Sequence, residues 1–301
     1  MSSPYNALIE PDTPNELLSG HQVYNPVDFA PAATVAEPIV RQSTVNPDEK
    51  YSVFSFEYYQ RFLDLDTSDV IQRTLVAMNP FGPRRSFVNL MSRDSDCPRP
   101  DLYGPLWISA TLVFILFFSS TLLNLIQAGG QGSFVYDFSL LTAAAAIIYG
   151  YTIVVPIGLW LLLAYYLGIH GLRVDGDPRS HIRGLWGLVC IYGYAAATWI
   201  PICLINVLVG SILVGLGVGD LANNILRWTL VAIGAIWSGV FIAKAFLGAI
   251  WDGQLASSPD PAKARKSVYM IGAGVAVLHL ALAIAVKVSF FSGNKLGDIG
   301  V

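Results

Sequence analysis

DLYGPLWISATLVFILFFSSTLLNLIQ, residues 101–127, decides the fold. An acidic residue and a Gly-Pro pair open the stretch, and 22 uncharged residues follow, 15 of them apolar. A bilayer-crossing helix needs about 20 predominantly apolar residues, and this run supplies them. Its opening has the chemistry of a helix start. Asp101 can accept from the unpaired N–H groups of a first turn. Pro105 suits that turn because its missing N–H leaves nothing unpaired. Tyr103 and Trp107 suit the wet edge of a bilayer, where an apolar ring with a polar tip is favoured.

Working outward, four more runs are long enough to cross. The five predicted spans are 106–127, 139–167, 184–213, 225–250 and 267–290. Pro156 and Pro201 fall inside the second and third, where each removes one backbone hydrogen bond. The composition agrees: 54% of the 301 residues are hydrophobic and 13% charged, against about a quarter charged in a soluble domain. The division along the chain is sharp. Residues 1–104 carry 14 of the 21 acidic side chains and 8 of the 18 Lys and Arg. The predicted class is an all-α membrane protein. Five transmembrane helices (105–291) follow an N-terminal cytosolic tail, disordered over 1–50 and partly helical over 51–104, and a short lumenal tail (292–301) closes the chain.

Lys and Arg set the orientation. Connections 128–138 and 214–224 have none. Connection 168–183 has Arg173, Arg179 and Arg183; connection 251–266 has Lys263, Arg265 and Lys266. Arg84, Arg85, Arg93 and Arg99 precede the first span. This alternation predicts a cytosolic N-terminus and a lumenal C-terminus. Arg227 and Lys287 are expected to snorkel at the far-side ends of their spans.

Within the tail, Phe56, Tyr59, Phe62 and Leu63 follow helical spacing. A second helix is expected after Asp66 or Thr67, with Asp69 in its first turn and Pro80 as its stop. Val70, Ile71, Leu75 and Met78 share roughly one face of it. That face is a candidate docking surface, with three occupants open: the bilayer, the cytosolic ends of the spans, or another protein.

Catalytic patterns are not evident. The spans contain no Asp or Glu, which ion-coupled transporters generally keep inside the membrane. No metal-ligand spacing, nucleophile elbow or phosphate-binding loop occurs. Cys97, Cys190 and Cys203 form no framework. No cofactor, metal, catalytic residue or nucleic-acid partner is expected, and the chain is read as non-enzymatic. Two rival readings name their residues. A transporter, channel or lipid-handling protein would need a polar cavity lined by Tyr151, Thr198, Asn206 and His279. A membrane enzyme would use His170, His181 and Asp175.

Three words carry a family resemblance. DLYGPLWISATLVF, from Asp101, resembles the signature that opens the membrane domain of the Yip family, the Ypt/Rab-GTPase-interacting (YIPF) proteins. IYGYAAATWIP, Ile191–Pro201, is similar to the family's second word in the third span. FSFEYYQRFLDLDTSDVIQRTLVAMNP, Phe54–Pro80, resembles the cytosolic segment of the animal YIPF-one/YIPF-two branch. The resemblance covers roughly 51–291. Two features depart from the branch pattern: a slightly longer SRDSDCPRP stretch before Asp101 and no strong basic cluster in the tail.

The resemblance implies a Golgi membrane protein that cycles through the endoplasmic reticulum and vesicles. It implies a role in vesicle-mediated transport, with Rab/Ypt GTPases and other Yip proteins as partners in a hetero-oligomer and membrane lipid around it. On that reading Asp101, Leu102, Tyr103, Gly104 and Pro105 form a first partner-binding site, and Tyr192, Gly193, Tyr194 and Pro201 a second.

Overall fold

Every regular element among the described residues is helical. The computed structural model describes residues 54–79, 81–82, 87, 90–91, 100–127, 137–165, 184–247 and 260–291. The expected disorder of 1–50, the lumenal tail 292–301, Cys97 and the loop with His170, Asp175 and His181 lie outside them. Among the described residues five helices are long and apolar enough to cross a membrane: Gly104–Ile126, Ser139–Tyr165, Leu185–Gly215, Leu221–Leu247 and Arg265–Phe290. They are called spans one to five. They overlap the five expected spans, because apolar length is a coarse, robust signal; the expected ends at 167 and 250 lie outside the described residues.

The prolines leave local marks. Before Pro156 the helix widens into a π turn, Gly150–Val154; before Pro201 it tightens into a 3₁₀ turn, Ala196–Thr198. A proline ring collides with the carbonyl four residues back. Those carbonyls belong to Thr152 and Ala197, one inside each irregular turn. Pro105 itself sits in a π turn, Gly104–Ile108, that leads into span one.

Span one packs against spans two and three, span four against three and five, and span two against three and five. Gly234 makes the contact of spans three and four close: a Cβ added there would stand 3.3 Å from Ile202 and 3.4 Å from the Trp199 ring. Arg227 and Lys287 depart from expectation. They are 5% and 3% exposed and both donate to the Phe291 carbonyl at 3.1 Å. The final carbonyls of a helix have no partner within it, and nearby cations satisfy them. This end-capping turns both side chains inward instead of outward to solvent.

The short helices α1 (Phe56–Leu63) and α2 (Thr67–Met78) stand before span one. Ser55 caps α1 through the Tyr58 N–H. Tyr58, Tyr59 and Phe62 of α1 gather around Trp186 at the start of span three; the indole N–H donates to the Tyr58 hydroxyl at 3.1 Å. α2 stops at Met78, two residues before Pro80, where the chain leaves helical geometry.

α2 packs on spans three and four; the candidate docking face, whose occupant the sequence left open, is not the side it buries. Arg73 and Ala77 are its buried residues, with Val76 partly buried beside them. Ile71 is 54% exposed and Leu75 61%; Met78 is exposed too, and Val70 is half-buried. The physical reason is a charge pair, described next, that outranks apolar periodicity in orienting the helix.

Candidate functional site

The two sequence words fold onto each other. Asp101 is 1% exposed and forms an ion pair with Arg73 of α2, itself 1% exposed. Its carboxylate also accepts the Gly104 N–H at 2.9 Å, so it caps the first turn of span one as the residue types require. From span three the Tyr194 hydroxyl donates to it at 3.2 and 3.3 Å, and the Cys190 thiol lies 3.6 Å away. Arg73 reaches on to the Leu90 carbonyl at 3.5 Å. A buried carboxylate is tolerated when its charge is paired and its lone pairs are met, and both conditions hold here.

The glycines explain why the words contain them. A Cβ on Gly104 would stand 2.4 Å from the Tyr194 ring, and one on Gly193 would stand 2.3 Å from Pro105 Cα. Each glycine of one word is thus the seat for a residue of the other. α1 joins the same junction, since the Leu102 N–H donates to the Phe62 carbonyl at 3.0 Å. Phe87 closes it, edge-on to Tyr194 at 5.4 Å and to Phe241 at 5.0 Å.

Of the first word, Asp101, Gly104 and Pro105 are buried, Leu102 is half-buried and Tyr103 is 42% exposed. Of the second, Tyr192, Gly193 and Tyr194 are buried and Pro201 is half-buried. The structure brings Asp101, Gly104, Pro105, Gly193 and Tyr194 together; it leaves Pro201 a helical turn and more away from them. A partner meeting the folded chain would touch Tyr103 and the edge of Leu102. Sequence reasoning missed Arg73, Cys190 and Phe87. Arg73 had one signal: a lone cation on the same helical face as Ala77, upstream of an acidic residue at a membrane border.

Farther along the bundle, His279 ties spans two, four and five together. Its Nε2 lies 3.0 Å from the Ala235 carbonyl and 2.9 Å from the Ser238 hydroxyl; its Nδ1 lies 2.7 Å from the Tyr151 hydroxyl. A carbonyl only accepts, so the proton sits on Nε2 and Nδ1 accepts from Tyr151. Tyr151→Phe is expected to leave Nδ1 without its donor and to lower stability by about 1–3 kcal/mol. Thermal unfolding in detergent beside the native chain checks this. Tyr151 and His279 line a cavity of about 20 Å³ with Thr152 and Tyr192, room for about one water. Thr198 and Asn206 do not line it; Thr198 donates to the Ala195 carbonyl at 2.8 Å. Among the described residues no three His, Cys, Asp or Glu side chains come together.

The Yip1 domain matches residues 78–285, which takes in both words and nearly all of the five spans. A Dictyostelium discoideum protein, "Protein YIPF1 homolog", is 28% identical over 247 residues, 82% of this chain and 59% of that protein. The chain thus covers under two thirds of that relative. "Protein YIP5" of Schizosaccharomyces pombe is 30% identical over 231 residues, 76% of this chain and 78% of the relative. "Protein YIP5" of Saccharomyces cerevisiae is 23% identical over 270 residues, 80% of this chain and 79% of the relative. No solved structure matches. With the Yip1 domain matched over residues 78–285, more than half of the chain, and both words inside that match, this chain belongs to the Yip family of multi-pass membrane proteins.

Proposed function

We propose that this chain is a non-enzymatic membrane protein of vesicle-mediated transport in the Golgi and early secretory pathway. It recruits or organises Rab-class GTPases and assembles with other Yip proteins. Its amino-terminal segment faces the cytosol and its carboxyl terminus the lumen. The observation that carries this reading is the Yip1 domain match over 78–285. The alternation of Lys and Arg between connections supports the orientation. The excess of acids in residues 1–104 suits a partner with a basic, lipid-bearing tail, drawn in a salt-dependent way. In this reading the buried word builds the platform, and Tyr103 is the part of it offered to a partner.

Proximity labelling from the amino-terminal segment in cells tests the proposal. The native chain is expected to label Rab GTPases and a second Yip protein at the Golgi. Tyr103→Ala, at a side chain 42% exposed, is expected to reach the Golgi and lose Rab labelling about tenfold, the loss of a modest contact of about 1.4 kcal/mol. A native chain that labels neither class overturns the function; a variant with unchanged Rab labelling overturns the role of Tyr103.

A further inference from the structure

We propose that α2 is a membrane-embedded element. Its Ile71, Leu75 and Met78 face lies against the acyl chains of the leaflet on the side of the amino-terminal segment. The proposal does not depend on which partner the chain recruits.

The first observation is that α2 cannot hide this face. Arg73 and Ala77 hold its other side against spans three and four, the former through the ion pair to Asp101. Ile71, Leu75 and Met78 then point away from the protein, and Phe81 just beyond the helix is 69% exposed. An apolar stripe of this kind in water would be costly.

The second is depth. The Trp237 indole N–H donates to the Met78 carbonyl at 2.9 Å, and its ring meets Phe81 edge-on at 5.4 Å. Trp237 lies inside the apolar run of span four, Leu221–Leu247, about 15 Å along the axis from Leu247. α2 also touches the Ala196–Thr198 turn of span three, about 16 Å along the axis from Leu185. The helix therefore runs alongside the apolar length of the spans.

The third is continuity. Ile233, Ile236 and Trp237 of span four are exposed on the same segment that receives the end of α2. A transmembrane helix turns such residues to lipid, and Ile71, Leu75 and Met78 extend that surface. Polarity is graded along α2 as well. Asp66, Thr67, Ser68 and Asp69 stand at its head, and the exposed apolar residues follow toward its end. An amphipathic helix with a wet head and an apolar foot enters a leaflet in that sense.

The test uses the full chain reconstituted in phosphatidylcholine vesicles. Cys190 and Cys203 are fully buried, so Cys97→Ser leaves no accessible native thiol among the three cysteines. Leu75→Cys in that background carries an environment-sensitive fluorophore, Ile71→Cys repeats the measurement one turn earlier, and Ser68→Cys reports the head. All three positions are partly or largely exposed, so none disturbs the core. Quenching by doxyl-labelled phosphatidylcholine should remove most of the emission at 75 and 71, with a blue-shifted maximum. Aqueous iodide should act several-fold more strongly at 68 than at 75. Iodide quenching at 75 and 71 as strong as at 68, with no doxyl effect, places the face in water and overturns the proposal. Protection of 75 and 71 from both quenchers means that protein covers the face, a second copy or a partner, and also overturns it.

Discussion

Replacing Asp101 by alanine is expected to lower the stability of the folded chain by about 3–5 kcal/mol, the cost of stranding a buried charge. The charge stranded is Arg73, 28 positions upstream and 1% exposed. Tyr194 and the Gly104 N–H lose an acceptor in the same stroke. Arg73→Met is expected to cost a similar amount from the other side, leaving the carboxylate unpaired. The informative variant is the double one. Arg73→Met with Asp101→Ala removes both charges, so it should recover a large part of either single loss; neighbours coupled in this way are not additive. Denaturant or thermal unfolding of the four proteins in one detergent measures the cycle. An Asp101→Ala protein within about 0.5 kcal/mol of native, the range of ordinary surface changes, would refute the pair as a stabilising element. The pair also holds α2 on the spans. Loss of α2 should therefore free the Trp237 indole N–H, now bonded to the Met78 carbonyl.

The second large effect belongs to the glycines where the words meet. Gly193→Ala places a methyl 2.3 Å from Pro105 Cα and 2.6 Å from its Cβ and Cγ. The obstacle is the backbone of a proline in the first turn of span one, which no rotamer change can clear. Overpacking a core typically costs about 1–3 kcal/mol. Here it should reach or exceed the upper figure, because spans one and three must separate. Gly104→Ala meets the Tyr194 ring at 2.4 Å and should behave alike, with the bond from Tyr194 to Asp101 weakened as well. Gly274 in span five is the control, with nothing within 4 Å of its added Cβ. Gly274→Ala should be neutral or stabilise by up to about 1 kcal/mol, the helix preference of alanine over glycine. Unfolding midpoints for the three variants decide the matter. Equal effects at 193 and 274 would show that the two words do not interlock.

Both predictions concern a junction whose parts were visible separately. The residue types of DLYGP announce a capped helix start, and the geometry is that of a cap: the Asp101 carboxylate on the Gly104 N–H. The second word, by contrast, carries no hint in its own residues of where it packs. Gly193 matters because Pro105 lies against it, and nothing local to either reveals the other. Cys190 and Phe87 likewise enter the site only through the packing of spans three and four around α2 and the chain after it.

α2 shows where pattern reading stops in such a chain. Its bounds followed from Asp66, Asp69 and Pro80, since caps and prolines act within a few residues. Its buried face did not follow. Periodicity says which side chains avoid water, and in a soluble protein that is the same as saying which face inward. Beside a bilayer the two questions separate, because the outside is apolar too. The polar contact then chooses the orientation: Arg73 turns inward to Asp101, and Ile71, Leu75 and Met78 turn out. Arg227 and Lys287 turn inward for a related reason, to the terminal carbonyl of span five.

Five apolar helices, the start and stop of α2 and the family were legible in the sequence. All of these depend on segment length, local caps or words of a few residues. Packing alone settled which charges pair, which glycines are occupied by a neighbour, and which face of α2 meets the protein. Those depend on atoms far apart in the chain, and the hydrophobic effect, being non-directional, cannot specify them without the packing that brings them together.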